Sequence, residues 1–213
     1  MEQHAVMSPR SHRVAAGFTL IELLTVLAVV AILAAASVPV VSALMQSNNL
    51  AQAGTIVADQ IDQARQMAAV RNRTVEVRLI NRPGVSAKGC QAVQLWMYDS
   101  SGSASAAGKM MPLPAGISIS DDPGLSGLFS TQTNAMAFKG TISSGPATGN
   151  SYVAFRLRPT GEIEPVPVST ARKFLYLTLL PTRLVTAGTT TLPSNYVMEQ
   201  INPDTGSVQI YRP

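Results

Sequence analysis

Apolar and polar positions divide this chain into three regimes. Residues 18–38 are apolar almost without interruption, and Glu22 is the single charge among them. Farther on, Leu50, Gly54, Val57, Ile61, Ala64 and Ala68 recur at alternating spacings of four and three. That is the period of one stripe on an amphipathic helix. From Arg73 the period drops to two. Val75, Val77 and Leu79 alternate with Thr74, Glu76 and Arg78, which predicts a strand with two unlike faces. Coiled as a helix at about 1.5 Å per residue, the apolar run would reach roughly 31 Å, enough to cross a hydrocarbon core. A carboxylate inside such a run costs about 2.5 kcal/mol or more, so Glu22 needs a partner.

Pro39 follows the apolar run. A proline there either ends the helix or kinks one that continues. The stripe beyond it predicts continuation to about Arg71 and Asn72, with the upper half packed on the domain that follows. Gly54 weakens that helix by about 1 kcal/mol relative to Ala, and fits a close approach to a sheet. Asp62 and Arg65 are placed to pair across one turn.

Strands are predicted at 73–80, 92–98, 117–120, 152–158, 173–180, 195–201 and 208–211. Asn81-Arg82-Pro83-Gly84 is a turn signal, and Asn202-Pro203-Asp204-Thr205-Gly206 a hairpin signal. Segments 99–108, 121–127 and 140–150 read as loops rich in Gly, Ser, Ala or Pro, the last two mobile. Trp96, the one tryptophan, is expected to pack rather than to form a binding platform. The layout is α+β: a long N-terminal helix, transmembrane then amphipathic, packed on an antiparallel β-sheet domain.

Composition narrows the chemistry. Cys90 is the only cysteine and the two histidines are His4 and His12. No intrachain disulfide can form, and Cys90 is either buried or free to pair between chains, the buried state being expected. Without histidine beyond residue 12, Ser-His-Asp and Cys-His catalysis and the usual zinc sites have no candidates in the body of the chain. No spacing marks a catalytic carboxylate pair, a metal site or a nucleotide motif. The expectation is a protein that is not an enzyme and takes no cofactor. Arg10 and Arg13 precede the apolar run, which predicts a cytoplasmic N-terminus and a C-terminal domain on the other side.

The segment Gly17-Phe18-Thr19-Leu20-Ile21-Glu22-Leu23-Leu24 resembles the class III signal of type IV prepilins and type II secretion pseudopilins. The resemblance implies cleavage after Gly17 by a prepilin peptidase and N-methylation of Phe18. It also implies that Glu22 neutralises the terminal amine of a neighbouring subunit. Pro39 corresponds to the family's helix proline. Three later features resemble the GspH/FimT-type minor pseudopilins: the helix end at 64–73, Phe155-Arg156-Leu157-Arg158-Pro159-Thr160-Gly161, and Asn202 to Val208. The implied organisation is a leader at 1–17, a transmembrane and assembly helix at 18–38, its amphipathic continuation at 39–72, and a β-rich periplasmic domain at 73–213. The implied partners are the peptidase, other subunits through the N-terminal helix, and the inner membrane. The implied function is that of a minor pilin or pseudopilin built into a type II secretion pseudopilus or a type IV pilus.

Two alternatives remain beside it. One is a signal-anchored periplasmic domain. The other is a DNA-binding minor pilin of an uptake system, using Arg71, Arg73, Arg78 and Arg82, with Arg65 and Lys88 nearby. DNA-binding FimT-like pilins are associated with a basic Gly-Arg-x-Arg pattern near the C-terminus. Here those positions read Gly206-Ser207-Val208-Gln209. The competing reading of the arginines is a solvated helix end and strand face, or contacts with other subunits.

Overall fold

The computed structural model describes residues 18–82, 88–129, 138–143, 148–164 and 174–213, with the side chains of 36–40 and 42 left aside. Helix α1 (Leu20–Arg71) comes first. Among the described residues eleven strands follow: β1 (Val75–Ile80), β2 (Ala92–Tyr98), β3 (Ala104–Ala106), β4 (Met111–Pro112), β5 (Ile117–Ile119), β6 (Phe138–Thr141), β7 (Ser151–Leu157), β8 (Ile163–Glu164), β9 (Leu175–Pro181), β10 (Val197–Ile201) and β11 (Val208–Tyr211). A short helix, α2 (Thr182–Thr186), lies between β9 and β10. The chain divides into two compact units between Ala43 and Leu44.

In the first unit, large apolar side chains from Phe18 to Leu33 are between 51% and 76% exposed. Among the described residues no helix is long and apolar enough to cross a membrane. Pro39 falls within the bounds of α1, but its side chain, and with it the expected kink, lies outside the described residues. Gly17 and the rest of the leader also lie outside them.

In the second unit α1 ends where the sequence predicts, and the cap shows why. Asn72 takes a left-handed backbone at φ 48°. The Arg73 N–H then reaches Ala68 O at 3.2 Å and the Asn72 N–H reaches Ala69 O at 3.4 Å. These are the paired bonds of a Schellman terminus, with Asn in the place glycine usually takes.

Two antiparallel sheets follow. The first has the order β3-β2-β1-β7-β6, with β4 joined to β2 and β8 to β7; the second runs β11-β10-β9-β5. Leu50, Val57, Ile61, Ala64 and Ala68 of the helical stripe are fully buried. They share one core with Val75, Val77 and Leu79 of β1, Phe155 and Leu157 of β7, Leu175, Leu177 and Leu179 of β9, and Val197 and Ile201 of β10. One helix face therefore unites both sheets.

Several expectations need correction. β1 does not have a solvated second face: all six of its residues are buried. Its outer side is covered by a second cluster of Ile80, Ala92, Trp96 and Ile142, packed with Tyr152. Strand β3 forms inside the expected loop 99–108. Leu125 and Leu128 are buried near the 3₁₀ turn Gly127–Phe129. The stretch 140–150 begins as strand, since Gly140 and Thr141 pair with Tyr152 and Ser151.

Candidate functional site

The N-terminal site is built by the first turn of α1. Thr19 is its N-cap, because its carbonyl accepts the Leu23 N–H at 3.1 Å. The Thr19 hydroxyl accepts the Glu22 N–H at 3.3 Å, and a Glu22 carboxylate oxygen accepts the Thr19 N–H at 3.5 Å. This reciprocal arrangement is a capping box, which satisfies two of the donors a helix start leaves open. A negative charge in the first turn also complements the helix dipole. Glu22 thus has a local task as well as the charge that sequence reasoning singled out. The exposed carboxylate stays within reach of anything that approaches the start of the helix.

A second polar site lies on the outer face of the first sheet. Register places Glu76 of β1 between Trp96 of β2 and Arg156 of β7. The Glu76 side chain is fully buried, and three donors converge on it. Arg78 Nε reaches one carboxylate oxygen at 2.6 Å; Arg156 Nε and the Tyr98 hydroxyl reach the other at 2.8 and 2.7 Å. Arg156 Nη2 also donates to the Tyr98 oxygen at 2.5 Å. Burial pushes the Glu76 carboxyl up, but the hydrogen bonds from Arg156, Tyr98 and Arg78 outweigh it and hold the group below its ordinary value. Rings cover both guanidinium groups. Arg78 lies 3.9 Å from the Trp96 ring centre and 4.2 Å from that of Tyr152. Arg156 lies 4.4 Å from Tyr98 and 3.6 Å from Phe138. Stacking on the ring faces offsets part of the hydration that such guanidinium groups lose. Sequence spacing could not find this cluster, since Glu76 and Arg156 are 80 positions apart.

The four arginines considered for nucleic acid do not form one surface. Arg71, Arg73 and Arg82 are exposed. Arg78 is 6% exposed and committed to Glu76, so it does not belong to a solvated strand face. Cys90 is buried at 4% exposure, and burial first, then the Asp121 charge, pushes its thiol up to about 12.

Residues 12–38 match the family described as the prokaryotic N-terminal methylation motif. No curated protein sequence matches the chain. Two solved structures are similar. One is the type IV minor pilin FimU of Pseudomonas aeruginosa, at 13% identity over 78% of this chain and 93% of that one, with a TM-score of 0.43. The other is the minor pseudopilin EpsH from the Type 2 Secretion System of Vibrio cholerae, at 8% identity over 75% and 93%, with a TM-score of 0.40. Likenesses this distant carry no argument about activity. What the family comparison places in this chain is the prokaryotic N-terminal methylation motif, over residues 12–38.

Proposed function

We propose that the chain is a structural subunit, a minor pilin or pseudopilin, that enters a type IV pilus or a type II secretion pseudopilus through its N-terminal helix. The observation that supports the reading is the methylation motif over residues 12–38, the stretch that contains Gly17, Phe18 and Glu22. In this reading prepilin peptidase cuts after Gly17 and methylates Phe18. The apolar residues of 18–38 hold the precursor in the inner membrane, with the C-terminal domain in the periplasm or on the extracellular filament. During assembly those side chains leave lipid for a bundle of like helices, and Glu22 meets the amine of a neighbouring subunit. A carboxylate and an ammonium that meet in a low dielectric offset part of each other's desolvation cost. The exposed apolar side chains of the first unit support a surface that needs such cover.

The test is the intact mass and first residue of protein extracted from membranes of cells that carry a prepilin peptidase. A chain that starts at N-methylated Phe18 supports the reading. A chain that keeps Met1, or is cut elsewhere, rejects it in favour of a signal-anchored domain.

A further inference from the structure

The second sheet holds a carboxyl group that the filament reading does not use. Glu199 is the middle residue of β10, between the buried Val197 and Ile201, and is itself fully buried. Neither of its carboxylate oxygens has a hydrogen-bond partner among the described residues. The described residues that register sets beside it are apolar. Leu177 of β9 stands directly across on one side and Ile210 of β11 on the other. Val57 and Ile61 of α1 belong to the same core cluster as its strand neighbours Val197 and Ile201. Titratable groups on those elements point elsewhere. Tyr176 and Tyr211 stand across from Gln200 and Met198, on the opposite face of the sheet. Asp59 is exposed, and Asp62 pairs with Arg65 at 3.1 Å in solvent.

An unpaired carboxylate cannot stay in such a place cheaply; it must take up a proton or bring in water. We propose that Glu199 is a protonation switch for the β10–β11 hairpin: neutral, it lies in the core, and on ionising it lets the hairpin part from α1. Strand β11 is suited to such a motion. It is the edge of its sheet, it has four residues, and Ile210 is already 44% exposed. The other sheet does not share the trigger, because its own buried carboxylate, Glu76, is fully paired.

Burial alone drives the Glu199 carboxyl well above its ordinary value of 4.5, and the sign follows. Between that value and the folded one the native state holds a proton the open state has lost, so stability falls as pH rises. The measurement is amide hydrogen exchange on the full chain in detergent, corrected for intrinsic rates, at a series of pH values above 4.5. The opening constant of the 197–201 and 208–211 amides should rise about tenfold per pH unit until the carboxyl ionises in place, then level off. The β1 and β2 amides should not follow. In Glu199→Gln and Glu199→Leu the rise should vanish. A wild-type hairpin whose opening ignores pH overturns the proposal. So does a rise that survives in both variants, or one shared equally by β1 and β2.

Discussion

Gly54 of α1 lies directly against Val197 of β10: a Cβ at position 54 would come within 2.8 Å of Val197 Cγ1. The missing side chain lets the helix settle on the second sheet. Gly54→Ala gains about 1 kcal/mol of helix propensity and meets a buried, β-branched neighbour that cannot rotate away. Overpacking costs about 1–3 kcal/mol, so a net loss of about 1 kcal/mol is expected in urea unfolding of the full chain. Adding Val197→Ala should make the position-54 change favourable. Additive losses in the double variant would show that the contact is not the reason for the glycine.

Glu76 should be among the most sensitive positions of the first sheet. Glu76→Ala leaves Arg78 buried without its counter-charge, and breaking one side of a buried pair costs about 3–5 kcal/mol. The pH dependence has a definite sign. Because the folded carboxyl lies below its ordinary value of 4.5, its contribution is complete above that value and is lost as pH falls through the folded one. Denaturant midpoints of wild type should drop below about pH 4.5, and those of the variant should drop less.

Cys90 should be silent in the native protein. Its thiol stays protonated at neutral pH, and a protonated, buried thiol is a poor nucleophile. Maleimide added at pH 7 should label it only after denaturant is added. Rapid labelling of the folded chain would place Cys90 at the surface.

The two tasks of Glu22 can be separated by charge. Gln fills the same place in a capping box but cannot pair with an ammonium. If pairing with a neighbour's amine governs assembly, Glu22→Gln and Glu22→Ala should both be processed and both fail to enter filaments. If the cap governs, Glu22→Gln should assemble like wild type. Quantifying each variant in sheared filaments decides between them.

Much of this architecture could be read from the chain. The stripe from Leu50 to Ala68 and the span of β2 follow from periodicity, and the span of β11 from the hairpin signal at Asn202–Gly206. The outer face of β1 could not be read that way. Glu76 and Arg78 look like solvent residues until Trp96, Tyr98, Tyr152 and Arg156 arrive from β2 and β7. The short strands β3, β4, β6 and β8 escaped for a related reason. Strands of two to four residues are too short to show a period, and the neighbours they pair with decide their state. At the candidate site, Phe18 and Glu22 stood out because a charge in an apolar run is anomalous. Their capping partner Thr19 carried a signal too, a Thr three residues before a Glu.

The order of strands in the second sheet has a consequence for how the protein is made. Val197 and Ile201, which seal one side of the α1 stripe, come 143 and 147 positions after Gly54. A chain that emerges from its N-terminus therefore carries Gly54 and its neighbours half-covered until β10 has been made. Folding of this domain therefore cannot be completed before β10 is available to cover the helix.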